Sequence, residues 1–142
     1  MLVVDTNVFV YAVGNADPLR GRAQILVEAV ERGDVRVTTT PEGVQEFLHL
    51  RASRGERPAA VDQAHDVMQM CSPLLEANGA DVEHALALFS QHRRLDAFDC
   101  LLAAAAMRSD ATGLVSADRG FREVPGLHWI DLATLDVSML TE

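Results

Sequence analysis

No lysine occurs anywhere in the 142 residues, so all 12 basic side chains are arginines. Chemistry that needs a lysine beside a phosphoryl group, as in receiver modules and aspartate-nucleophile phosphatases, therefore has no residue to use. The segment Asp5-Thr6-Asn7 also lacks the second acid of a DxD nucleophile motif. Cysteine is nearly as scarce: Cys71 and Cys100 form no CxxC or Cys/His cluster, which argues against structural zinc and for two reduced, buried thiols. None of the five histidines, His49, His65, His84, His92 and His128, has HExxH or similar metal spacing, so packing or surface exposure is expected of each. No stretch approaches the ~18 consecutive apolar residues of a membrane span. The run LLAAAAM is bounded by Asp99 and Arg108. The N-terminus MLVVDTN has neither the basic region nor the long apolar stretch of a signal peptide, so a cytoplasmic location is expected.

What is present is a 49% hydrophobic chain with a net charge of −9, enough apolar material for one domain over residues 1–142. Such a surface repels nucleic acid, which argues against non-specific binding through many phosphate contacts. It leaves room for an enzyme that gathers carboxylates in one cleft, neutralises them with cations, and grips its substrate with a few local arginines. It also suits attraction of a basic partner segment.

The pattern alternates strands and helices. LVVD reads as a short strand running into Asp5, VFVYAV opens a helix, and Asn15 to Pro18 is a turn. In LRGRAQILVEAVERG, Ala23, Leu26, Val27 and Val30 recur at helical spacing, with Gly33 as the stop. VRVTTT is a second strand, followed by a helix through EGVQEFLHLRA with Thr40 as cap and Pro41 in its first turn. Gly55 to Pro58 breaks the chain before AAVDQAHDVMQMC, whose Val61, Ala64, His65 and Met68 fall on one stripe; PLLEA is a candidate short strand. DVEHALALFSQH and AFDCLLAAAAMRS are helices, the latter with alanines that allow close packing, and TGLVSAD and LHWIDL are strands. The tail TLDVSMLTE is expected to fray. This alternation implies a parallel α/β sheet, whose ligands bind beyond the carboxyl ends of the strands, where Asp5 and Asp118 both lie.

Four acids fall where this arrangement converges: Asp5 and Asp118 after strands, Glu46 on the helix after VRVTTT, and Asp99 opening the alanine-rich helix. Glu46 and Asp99 each border apolar residues that belong to a core. Unpaired carboxylates gathered in a cleft repel one another unless cations bind, and magnesium or manganese prefers such oxygen ligands. Hydrolysis of a phosphodiester is the expected reaction. Glu42 competes with Glu46, but as a first-turn acid it is explained by the helix dipole; Asp96 is either an acid that supports the site from behind or, the preferred reading, a helix N-terminal charge. Asn7 is expected to hold the tight turn. Arg119, Arg20, Arg22, Arg93 and Arg94 are equal candidates for a phosphate contact.

MLVVDTNVFVYA, TTPEGVQEFL, LDAFDCLLAAAAM and LVSADRGFREVPGLHWI resemble, in order, the four signature blocks of PIN-domain ribonucleases, nearest to the VapC toxins of bacterial toxin–antitoxin pairs. The resemblance implies a three-layer α/β/α domain with a central, mainly parallel sheet. It implies a Mg2+-dependent endoribonuclease, with Mn2+ as a substitute, whose metal site matches Asp5, Glu46, Asp99 and Asp118. Thr6 and Ser116 match supporting polar residues. The firmest metal ligands on this reading are Asp5 and Asp99, with Asp118 direct or through water and Glu46 orienting water or a second ion. A homodimer, an RNA substrate and a cognate VapB-like antitoxin are the implied partners. The alternatives are a PIN-fold protein that acts as a partner-binding module and a housekeeping nuclease.

Overall fold

Leu2, Val3 and Val4 alternate across a strand with apolar side chains to both sides, a pattern that only a sheet covered on both faces satisfies. The computed structural model describes residues 1–140 and builds that sheet from β1 (Leu2–Val4), β2 (Val37–Thr38), β3 (Gly113–Ser116) and β4 (Trp129–Asp131). The order is β2-β1-β3-β4 and every pair is parallel, with Val4 opposite Val115 and Ser116 opposite Asp131. Leu2, Val4 and Val115 face a core shared with α1 (Thr6–Val13), α2 (Arg20–Glu31), α3 (Pro41–Arg54) and α4 (Arg57–Met70). Val3 and Leu114 face a second core shared with α5 (Gly79–Gln91) and α6 (Ala97–Arg108). The result is the expected three-layer α/β/α arrangement.

Local chemistry explains most boundaries. Gly33 takes φ 81° and, with Asp34 donating to the Ala29 carbonyl at 2.9 Å, ends α2 in a left-handed cap. Thr40 accepts from Gly43 N at 3.1 Å ahead of Pro41, which needs no donor there. The alanines of α6, Ala103 to Ala106, are buried and let α5 and the sheet approach closely. Asp81, buried in the first turn of α5, is gripped by Arg108 Nε at 2.7 Å, which ties the start of α5 to the end of α6.

Three expectations need correction. PLLEA is not a strand: Pro73 has no N–H to give a ladder, and the Thr38 hydroxyl lies 3.1 Å from the Cys71 carbonyl and 2.9 Å from that of Pro73. Only Leu75 N reaches the Thr39 carbonyl, at 3.0 Å. On α4 the buried stripe is Ala60, Ala64 and Val67, one step around from the one expected, leaving Val61 and Met68 exposed. The tail is anchored rather than frayed through residue 140: Leu135 is buried, its carbonyl accepts from Arg22 at 2.8 Å, and Val137–Met139 forms a 3-10 turn. Thr141 and Glu142 lie outside the described residues. Both cysteines are free and buried, as expected, and burial pushes the Cys71 thiol up to about 12.

Phe47 is fully buried one residue after Glu46 and anchors α3 in the first core. Phe47→Ala should cost ~3–5 kcal/mol in a denaturant titration. A loss under ~1 kcal/mol would show that this core is not closed around α3.

Candidate active site

Asp5 leaves β1 with its N–H still donating to the Val115 carbonyl at 2.9 Å, and its own carbonyl accepts from Val8 to start α1. Its side chain makes no cap of that helix. Instead the carboxylate, 6% exposed, accepts from the Ser116 hydroxyl at 2.7 Å. Ser116 is a hub. Its fully buried oxygen also accepts from Asn7 Nδ2 at 3.2 Å and from the Asp118 N–H at 2.9 Å, so the ends of β1 and β3 are locked together. Asn7 holds the turn after β3 as well, accepting from Ala117 N at 3.4 Å. Thr6 donates to the Gly43 carbonyl at 3.1 Å, tying the start of α1 to the first turn of α3, one turn before Glu46.

The other acids arrive by helix capping. Asp96 and Asp99 form a reciprocal box at the start of α6: Asp99 N donates to Asp96 Oδ1 at 2.8 Å and Asp96 N to Asp99 Oδ2 at 3.2 Å. Asp118 accepts from Gly120 N at 2.8 Å and opens a 3-10 helix over Arg119–Glu123. Each cap consumes one carboxylate oxygen and leaves the other available.

Electrostatics shows that these groups feel one another. Asp99 is pushed up to about 8, first by burial and then by the charges of Asp5 and Asp96, with Asp118 adding a smaller push. Burial raises Asp5 to about 6 against the Ser116 hydrogen bond, and Glu46 and Asp118 raise it further. Glu46 is raised by burial and by Asp96. The structure thus brings all four acids named from the sequence into one electrostatic unit. Asp5, Glu46 and Asp99 line a tight cleft of about 10 Å³, room for a single water or ion. Asp96 is the expected helix-terminal cap, yet its charge also reaches Asp99 and Glu46.

Glu42 is a first-turn acid of α3, as expected, and has a second environment. It lines the same cleft, and its Oε2 is buried without a hydrogen-bond partner among the described residues. The available signal was its spacing: Glu42 and Glu46 lie four apart on one helix face. A larger groove of about 820 Å³ between α1, α2 and α4 is lined by none of the four acids, so it lies apart from the acidic cluster.

Asp5 and Asp99 keep their protons in the fold up to about pH 6 and pH 8, against 3.8 for an ordinary aspartate. The folded state therefore binds more protons across that window, and stability falls as pH rises through it. Asp81, held below the usual range by Arg108, acts in the opposite sense, losing its contribution as pH falls through the acid range. In EDTA, thermal unfolding should give a higher Tm near pH 5 than near pH 8. Equal or reversed values would refute the raised proton affinity of Asp5 and Asp99 in the fold.

Comparison with known proteins follows the same lines. The PIN domain family matches residues 2–127. Ribonuclease VapC7 of Mycobacterium tuberculosis is 40% identical over 99% of this chain and 98% of its own. Ribonuclease VapC13 of the same organism is 35% identical over 89% of this chain and 97% of its own. Among solved structures, FitAcB from Neisseria gonorrhoeae superposes with a TM-score of 0.70 at 16% identity, covering 95% of this chain and all of its counterpart. VapBC2 from Rickettsia felis, bound to a promoter DNA fragment, gives 0.70 at 13% identity, covering 92% and 97%. Sequence and fold agree: the chain belongs to the PIN-domain family, among its VapC ribonucleases.

Proposed function

We propose that this protein is a divalent-metal-dependent endoribonuclease acting in the cytoplasm as the toxin of a toxin–antitoxin pair. One observation carries the catalytic reading: Asp5, buried, and Asp99, half-buried, lie within reach of each other's charge, and no cation among the described residues pairs with either. The donor set is all oxygen, as a hard cation requires. No three acid, histidine or cysteine side chains among the described residues are gathered tightly enough to enclose an ion. Magnesium does not need such an enclosure, being commonly held by one or two carboxylates with several waters. Asp5 and Asp99 would hold it, with Asp118 and Glu46 acting directly or through water. When bound, such an ion polarises the phosphodiester and favours ionisation of water.

The chain's own residues do the rest. Ser116 fixes the Asp5 carboxylate, and the capping box fixes Asp99. Thr6 and Asn7 position the elements that carry the acids. Because Asp99 holds a proton up to about pH 8, cation binding displaces that proton and tightens as pH rises.

Surface chemistry supports the partners. The groove between α1, α2 and α4 has an apolar floor of Phe9, Val27, Val67 and Met70 and an acidic rim of Glu28, Glu31 and Asp66. This matches a basic amphipathic segment of an antitoxin. On α5, Val82, Leu86 and Phe89 form an exposed apolar stripe, which fits a second copy of the chain.

Asp5→Asn and Asp99→Asn should each lower magnesium-dependent RNA cleavage by at least ~100-fold and weaken calorimetric Mg2+ binding. Full activity in either variant would refute the metal site, and absence of any cleavage by the wild-type chain would favour a partner-binding module. Light scattering should show a dimer that Leu86→Glu converts to a monomer. A wild-type monomer would rule out the α5 interface.

A further inference from the structure

The chain has no lysine, so any phosphate contact must come from its arginines, and the structure sorts them. Arg22, Arg32, Arg51 and Arg108 are committed to internal partners: the Leu135 carbonyl, Asp34, Gln63 and Asp81. Arg36 precedes β2 and so lies at the amino end of the sheet, opposite Asp5 and Asp118. Arg54 and Arg57 sit at the α3–α4 junction, beyond a 14-residue helix that carries them about 20 Å from its first turn. Arg20 lies past the far end of α1.

Four remain, Arg93, Arg94, Arg119 and Arg122, and they occupy two loops that meet at Gly120. A Cβ placed on Gly120 would lie 3.0 Å from Leu95 Cδ2, 3.1 Å from Asp118 Oδ1 and 3.2 Å from Arg94 Cβ. The bare glycine is what allows the α5–α6 loop to close onto the Asp118 turn. Arg94 is thereby set beside the Asp118 carboxylate, with Arg93 next to it in the chain. Arg119 and Arg122, three apart in a 3-10 helix, project on one side of it. All four are exposed, and none forms a hydrogen bond or ion pair among the described residues, although Asp96 and Glu123 are neighbours in the chain.

Resting on the ribonuclease reading, we infer that Arg93, Arg94, Arg119 and Arg122 form a phosphate-binding strip that leads the RNA backbone past Asp118 into the acidic cleft. The acidic protein repels a polyanion over most of its surface and would repel it most at the unneutralised cleft. Two guanidinium pairs on loops that meet beside Asp118 offset that repulsion, and the planar fork of each guanidinium suits a phosphate. Of the five arginines left equal by the sequence, the fold selects Arg93, Arg94 and Arg119, adds Arg122, and sets aside Arg22 and Arg20.

The test is cleavage of a fluorescein-labelled single-stranded RNA by the full chain with magnesium over a range of potassium chloride concentrations. For Arg94→Gln combined with Arg119→Gln, two lost phosphate contacts should flatten the log–log salt dependence of kcat/KM by about 1.4. KM should rise about tenfold with kcat and calorimetric Mg2+ affinity retained. Arg54→Gln with Arg57→Gln removes the same charge elsewhere and should leave the slope in place. An unchanged slope in the first variant, or an equal loss in the second, overturns the strip. If the wild-type chain cuts no RNA, the ribonuclease reading falls, and fluorescence anisotropy with the same oligonucleotide in EDTA decides the strip by the same slope comparison.

Discussion

A buried carboxylate is tolerated only where hydrogen bonds replace lost water, and here one hydroxyl does much of that work. Ser116 donates to Asp5 while accepting from Asn7 and from the Asp118 backbone. The contact joins strand ends that are already parallel neighbours, so the register of β1 on β3 and the spacing of two site acids are one constraint. The remaining acids are then delivered by ordinary helix starts. Asp99 reaches the cleft because it closes a capping box, and Glu46 because Phe47 anchors α3.

The cost of this arrangement is repulsion that the protein alone does not relieve. Ser116 lowers the proton affinity of Asp5, but burial and its acidic neighbours outweigh it, and Asp99 is perturbed more strongly still. The acids of this cleft repel one another more than a surface cluster of the same acids would, since exposed charges are screened. The structural ion pair between Arg108 and Asp81 shows the contrast: there the acid has its partner and its proton affinity is lowered.

Much of this was legible before the fold was known. Short apolar runs ending in Asp5 and Asp118 announced parallel strands, and Thr40-Pro41 announced the helix that carries Glu46. What was not legible depended on contacts distant in sequence. The segment after Cys71 has strand-like composition, yet the Thr38 hydroxyl, 33 and 35 residues earlier, takes its carbonyls. The buried face of α4 could not be chosen because apolar residues lie on two adjacent stripes, and alanine proved sufficient against the close-packed first core. Glu42 looked like a dipole-stabilising residue because its local position explains it fully; only the neighbouring helix α6 turns that position into the wall of a cleft.

The Thr38 contact has a consequence of its own. An outer strand normally offers a row of unsatisfied amides and carbonyls on which another chain can align. Here β2 is two residues long, its neighbouring Thr39 carbonyl is taken by Leu75, and its own hydroxyl fastens the covering segment. That border of the sheet is closed to strand addition. Association at this side must therefore use helical faces and grooves rather than an added strand.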